Sequence, residues 1–211
     1  MSAQSLRLLS RNRTEFDYGE TLDLLVSILK RGGIIALPTD TVWGLATLAS
    51  NATGIERIQV AKGRPESQPI VCLISSTSHA LRLSLNWPEP ARVLTSLHWP
   101  GPLTLIVKTA DCPYPHLTGG RRTLGLRWPR DPVLQDILEA LDEPLAATSA
   151  NLSGAPPLTS EASIRSVFSS ILDVILVTDT PSVGEASTVV EVNESGIKVL
   201  RTGPLRLDFP R

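Results

Sequence analysis

Short apolar runs, each bounded by Pro, Gly or small polar residues, recur along this chain and alternate with stretches of helical periodicity. IIAL (34–37) stops at Pro38, IVCLI (70–74) follows Pro69, LTLIVK (103–108) follows Pro102, and PLAAT (144–148) runs into Ser149. TLGLRW (123–128) alternates in the period of two that a pleated strand needs. Runs this short, flanked by turn residues, predict strands buried in a sheet. DVILVTD (173–179), STVVEV (187–192) and IKVLR (197–201) complete the set, and the last of them read as antiparallel hairpins.

The intervening stretches predict helices. Leu22, Leu25, Val26 and Leu29 share one helical face. Asp17 with Glu20 predicts a capping pair at its start, and Gly32–Gly33 its end. Thr53 and Glu56 predict a capping box for a second helix over Ile55, Ile58 and Ala61, closed by Gly63. Further helices are expected near 77–83, 89–98 and 160–171. Asp131–Pro132 combines a cap with a first-turn proline, ahead of the apolar face Val133, Leu134, Ile137, Leu138 and Leu141. Residues 110–122, with Pro113, Pro115, Gly119 and Gly120, read as a loop too short to link domains. No repeat or low-complexity tract interrupts the pattern. The expectation is one α/β domain over residues 1–211, a twisted mixed sheet with flanking helices.

The composition narrows the function classes. Lys+Arg 20 against Asp+Glu 21 gives a net charge of -1, which argues against broad non-specific nucleic-acid binding but leaves room for a local basic cleft. Cys72 and Cys112 form no CxxC or Cys/His cluster, so a zinc site is not expected; Cys72, in an apolar run, reads as a buried thiol. No apolar run approaches the ~20 residues of a membrane helix. The N-terminal stretch lacks the apolar core of a signal peptide, and Glu15 and Asp17 speak against a transit peptide. A soluble, cytoplasmic protein without membrane contact is expected. There is no P-loop and no GxGxxG, so any nucleotide is held by another device.

Candidate chemistry gathers just after the strands, where ligand sites of α/β sheets form. Lys62 has two readings. A lysine at a helix C-terminus is favourable with no function at all, or it grips an anion. Arg64, beyond Gly63 and before Pro65, gains little from the helix dipole, so a planar bidentate donor for an anion is the stronger reading. Thr39, Asp40 and Thr41 follow the first run, as local caps or as ligand contacts, and Trp43 reads as core. Thr148, Ser149, Asn151 and Ser153 offer hydroxyls and an amide at a strand end. Ser149 as a nucleophile is disfavoured, because no G-x-S-x-G elbow surrounds it. Arg127 stands out among Arg121, Arg122, Arg127 and Arg130 because it lies within an alternating strand; a solvated basic edge is the plain alternative for the others.

LPTDTVWGL, KGRP followed by QPI, WPGPLTLIV, LGLRWPRDP, LAATSANLSGAPP, STVVEV and VLRTG occur in this order. Together they resemble the YrdC-like threonylcarbamoyl-AMP synthase family, in a short, single-domain form with motifs over about 16–203. The resemblance implies a nucleotidyltransferase with a basic concave cleft. It joins L-threonine, bicarbonate or CO2 and ATP into L-threonylcarbamoyl-AMP and diphosphate, for the N6-threonylcarbamoyladenosine (t6A) modification of tRNA. It implies Mg2+ accompanying ATP, no organic cofactor, no dedicated protein metal site, contact with tRNA, and a link to a separate t6A transferase complex. The family's KxR…SxN signature falls on Lys62, Arg64, Ser149 and Asn151, the implied catalytic set. Thr41, Arg127 and Ser187 match threonine contacts. Arg64, Gln68, Thr123, Ala147, Ser149 and Arg201 match nucleotide contacts. Two positions depart from the pattern: Gln68 stands where many members have Asn, and Leu73 where some have His. The chain ends soon after LRTG, so no C-terminal domain is expected. The rival readings are an RNA-binding module using the basic cleft without ATP turnover, and a carbamoyl-transferring maturation domain.

Overall fold

The apolar runs pair into one ten-stranded mixed sheet in the computed structural model, which describes residues 3–9, 16–109, 111–180 and 182–207. The strands are β1 (Gln4–Arg7), β2 (Ile35–Leu37), β3 (Gly44–Leu48), β4 (Val71–Leu73), β5 (Leu103–Lys108), β6 (Thr123–Arg127), β7 (Leu145–Ser149), β8 (Val174–Val177), β9 (Thr188–Asn193) and β10 (Gly196–Arg201). The helices are α1 (Phe16–Lys30), α2 (Ala52–Lys62), α3 (Thr77–Leu83), α4 (Glu89–His98), α5 (Pro132–Leu141) and α6 (Glu161–Phe168). The spatial order is β1-β8-β2-β3-β7-β4-β6-β5-β9-β10. β1/β8, β2/β8, β4/β6 and β5/β9 are parallel, while β2/β3, β3/β7, β4/β7, β5/β6 and β9/β10 are antiparallel. No described helix is long and apolar enough to cross a membrane.

Alternation along each strand sends its residues to two layers. On one face, Leu25 and Leu29 of α1 and Ile137 and Leu138 of α5 pack with Ile35, Leu37, Leu48, Leu73 and Leu145. On the other, Ile58, Ile164 and Phe168 of α2 and α6 pack with Ala36, Leu45 and Ile175. Ala80, Leu83, Ala91 and Leu94 of α3 and α4 cover Cys72, Leu105, Leu124 and Leu126 there. Cys72 is fully buried and free, as its apolar run predicts. Val71, Thr104, Arg127, Ala147 and Ser149 line an open pocket instead.

The structure departs from the sequence pattern in several places. β1 and β3 were not expected. β1 is a short, largely exposed edge strand, and GLATL is poor in residues with intrinsic strand preference. β3 is a strand because β2 and β7 pair with it on both sides. The Thr53/Glu56 box is not what caps α2. Asn51 stands there, accepting from the Gly54 N–H at 3.0 Å while its amide donates to Gly32 O and Thr47 Oγ1. Asp17 lies inside the first turn of α1, where it favours the dipole rather than capping. Asp131 caps α5 as expected, accepting from Leu134 N–H at 2.7 Å. The 110–122 segment carries one 3-10 turn at Pro115–Leu117.

Phe168 is fully buried between α6 and the sheet. Phe168→Ala should lower stability by about 3–5 kcal/mol in urea unfolding, with an unchanged slope.

Candidate functional site

Five neighbouring strands turn residues toward one concavity, those from β3, β5 and β7 small or hydroxylated. Its floor and walls include Gly44, Val71, Leu73, Thr104, Ala147 and Ser149, and its rim carries Arg64, Arg127 and Arg201. Gly44 faces Ser149 across β3/β7, and Val71 faces both Ala147 and Gly125. The small side chains at these register positions keep the surface low. The resulting cavity is about 140 Å3 and opens to solvent.

Arg127 closes one end. It is 6% exposed. Nη1 donates to Thr41 Oγ1 at 2.7 Å, Nη2 to Asp40 Oδ1 at 2.6 Å, and Nε to Gly101 O at 3.2 Å. Burial pushes this guanidinium down from its ordinary value, and the Asp40 carboxylate opposes that. The Thr39–Thr41 segment is laced from behind: Ser182 Oγ donates to Thr39 O at 2.5 Å, Gly184 N–H to Thr41 O at 2.8 Å, and Val183 N–H to Asp40 O at 3.3 Å.

Arg64 and Arg201 carry the rest of the rim, with Arg201 within electrostatic reach of Arg127. α2 stops in a Schellman turn: Gly63 adopts φ 61°, ψ 34°, its N–H donates to Val60 O, and Arg64 N–H donates to Gln59 O at 2.9 Å. A left-handed residue is needed there, and glycine adopts it without strain. The chain turns so that Arg64 reaches the pocket, where one Nη donates to Pro69 O at 2.7 Å. Its Nε is buried without a partner. Arg201, at the end of β10 beyond a register shift, donates from Nε to Ser187 O at 3.0 Å and from Nη2 to Ser187 Oγ at 3.2 Å. Burial lowers both guanidinium pKa values; Arg201 lowers that of Arg64 further, and Arg127 lowers that of Arg201. Among the described residues neither arginine has an ion pair.

Lys62 does not line the cavity. It is 2% exposed, and its ammonium donates to Ser149 O, to Asn151 O at 2.7 Å and to Asn151 Oδ1 at 3.2 Å. Its three hydrogens match these three acceptors. Asn151 Oδ1 also accepts from Ser149 Oγ at 2.5 Å, and its amide donates to Leu152 O and Ala155 O, both at 2.8 Å. The sequence pattern Lys62, Arg64, Ser149, Asn151 is therefore brought together, with a division of labour. Arg64 and Ser149 face the cavity, while Lys62 and Asn151 hold the end of β7 from behind. Neither plain reading of Lys62, dipole decoration or a charge aimed at an anion, describes it.

The remaining candidates separate. Thr41, Ala147 and Ser187 line the cavity. Gln68 is exposed and Thr123 is at the far end of β6, paired with Lys108; neither is on the cavity wall. Trp43, read as core, is half-buried and lines the cavity. Thr104 was missed. It is fully buried, 2.8 Å from Ser187 Oγ, and its signal was a lone hydroxyl in the apolar run LTLIV.

These features define a mixed-sheet α/β protein with an arginine-rimmed pocket at its strand ends. The model of the Sua5/YciO/YrdC family, described as telomere recombination, matches residues 27–203, and the chain belongs to that family. It is 33% identical over 185 residues to a threonylcarbamoyl-AMP synthase of Pyrococcus abyssi (strain GE5 / Orsay), covering 88% of this chain and 54% of that protein. A threonylcarbamoyl-AMP synthase of Bacillus subtilis (strain 168) is 33% identical over 178 residues, covering 84% and 51%. The chain spans about half the length of these curated relatives. The crystal structure of P. abyssi Sua5 complexed with L-threonine superimposes with a TM-score of 0.86 at 30% identity, over 95% of this chain and 58% of that one.

Burial, and secondarily Arg64, push the Lys62 ammonium down from 10.5 to about 8. Between those values the unfolded chain keeps a proton that the folded chain has lost, so this group's contribution to stability rises with pH across the window. The stability advantage of wild type over Lys62→Met should therefore grow between about pH 7.5 and about pH 9.5 in urea unfolding. A gap independent of pH would contradict this assignment.

Proposed function

We propose that the chain is an L-threonylcarbamoyladenylate synthase. It forms L-threonylcarbamoyl-AMP and diphosphate from L-threonine, bicarbonate or CO2 and ATP, a nucleotidyl transfer supplying the t6A modification of tRNA. The observation that carries this reading is the pocket's end with Arg64 and Arg201: two desolvated guanidinium groups without a carboxylate, one with an orphaned Nε. Buried donors left unpaired are costly, and a polyphosphate satisfies both the charge and the hydrogen bonds. The names of the relatives, and the threonine in P. abyssi Sua5, support the substrate assignment.

In this reading Arg127 takes the threonine carboxylate, while Thr41 and Ser187 border the amino acid. The cavity of about 140 Å3 is below the ~300–1,000 Å3 of pockets that enclose drug-sized ligands. It suits the amino acid, and the nucleotide extends into the open cleft over Arg64 and Ser149. The threonine amine adds to the carbon of CO2 with loss of a proton, or to that of bicarbonate with loss of water, giving a carbamate. A carbamate oxygen then attacks the α-phosphorus, and the bond to the departing diphosphate breaks. The protein's contribution is alignment and neutralisation of phosphate charge. Ser149 offers lone pairs to the cavity, since its hydrogen goes to Asn151. A phosphate contact at this hydroxyl therefore requires that hydrogen to be released. Lys62 and Asn151 act through the backbone they hold. Mg2+ enters as part of the Mg–ATP substrate. The product passes to a separate t6A transferase complex.

Incubation with Mg–ATP, bicarbonate and L-threonine should release diphosphate in a threonine-dependent manner. Its absence, with salt-sensitive tRNA binding instead, would favour the RNA-binding reading. Arg64→Ala should lower turnover by at least about 100-fold without changing the circular dichroism spectrum. Arg127→Ala should raise the threonine requirement more than the ATP requirement, read from the two KM values; the reverse would reassign it.

A further inference from the structure

The three pocket arginines are not equivalent. Arg127 touches a carboxylate, whereas Arg64 and Arg201 touch none among the described residues. We propose that Asp40 is a positioning and selectivity residue: by pairing with Arg127 it reserves that guanidinium for a monoanionic carboxylate and confines polyphosphate to Arg64 and Arg201. The proposal rests on the synthase reading for the identity of the two ligands.

Asp40 is not on the cavity wall; it acts through Arg127. Of the five Arg127 hydrogens, those donated to Asp40, Thr41 and Gly101 are committed, leaving one on each terminal nitrogen. Two hydrogens on one fork are what a single carboxylate takes bidentately. The orientation favours any planar or tetrahedral anion alike, so it does not by itself select. The charge does. An anion bound to Arg127 also meets the Asp40 carboxylate, whose repulsion scales with the incoming charge. A carboxylate meets it once and a polyphosphate several times. Arg64 and Arg201 pair with no carboxylate among the described residues, so the penalty is greatest at Arg127 and falls off through Arg201 to Arg64. A repulsive element beside an attractive one is how closely spaced sites sort competing ligands. The segment carrying Asp40 is fixed for this task by the hydrogen bonds from Ser182, Val183 and Gly184.

Asp40→Asn keeps the size and one acceptor oxygen but removes the charge. Calorimetric titrations of diphosphate and of L-threonine into wild type and Asp40→Asn, with folding checked by thermal melts, test the proposal. Wild type should bind one diphosphate and retain its threonine affinity in its presence. Asp40→Asn should bind a second diphosphate, and saturating diphosphate should weaken its threonine binding by at least about tenfold. Asp40→Glu, which restores the charge, should return to one diphosphate. Equal stoichiometry and equal competition in wild type and Asp40→Asn would overturn the role of Asp40. If wild type binds no threonine, the synthase reading fails, while the diphosphate stoichiometries still decide the role of Asp40. Should Asp40→Asn not fold, Asp40→Ser carries the same comparison.

Discussion

One ammonium group sets the geometry on which the pocket depends. Lys62 ends α2 on one face of the sheet, and its Nζ holds the end of β7 and the residues after it through Ser149 O, Asn151 O and Asn151 Oδ1. Its own carbonyl accepts from Ser153 N–H at 2.8 Å, so the helix end and the loop after β7 hold each other in both directions. A buried cation costs desolvation, and three aligned oxygens offset that cost only while the loop keeps its shape. The interaction therefore specifies one conformation more than it adds stability. Gly63 follows from the same constraint: the chain must reverse at once to bring Arg64 into the cavity while Lys62 stays behind β7.

The second determinant is the steric profile of the sheet. α1 and α5 fill one face where Leu37, Leu48 and Leu145 stand up from it. Where Gly44, Ala147 and Ser149 occupy neighbouring register positions, the same face is shallow. The cavity is thus a consequence of side-chain size along the rows of a continuous sheet. Its rim residues arrive from β6, β10 and the loop after α2, three parts of the chain far apart in sequence.

Sequence periodicity was informative where burial on both faces makes a strand apolar throughout, as in IIAL and IVCLI. It failed at GLATL, because a strand of small residues leaves no local signal and exists only by pairing with β2 and β7. The cap of α2 was misplaced for a related reason. Thr53 and Glu56 have suitable spacing, but Asn51 also bonds Gly32 and Thr47, and such tertiary partners do not show in local spacing. At the site, residue type and position at the end of a strand or helix pointed to Thr41, Arg64, Arg127 and Ser149. Ser187, Arg201 and Ala147 came from family motifs rather than from local chemistry. Neither route could reveal that Lys62 and Asn151 face away from the cavity, since motif order carries no direction.

The same limit explains why Asp40 looked like a turn residue. An aspartate between two threonines after a strand has a complete local rationale as a cap. Its partner lies 87 positions away, and the pair spans the ends of β7 and β4 to join the turn between β2 and β3 to the end of β6. Largely buried ion pairs of this kind are weak evidence for stability, because desolvation cancels much of the attraction. Their value lies in direction and sign. Asp40 aims one guanidinium and offsets its charge. A single carboxylate thereby makes three like charges unequal, one guanidinium paired and two without a carboxylate among the described residues.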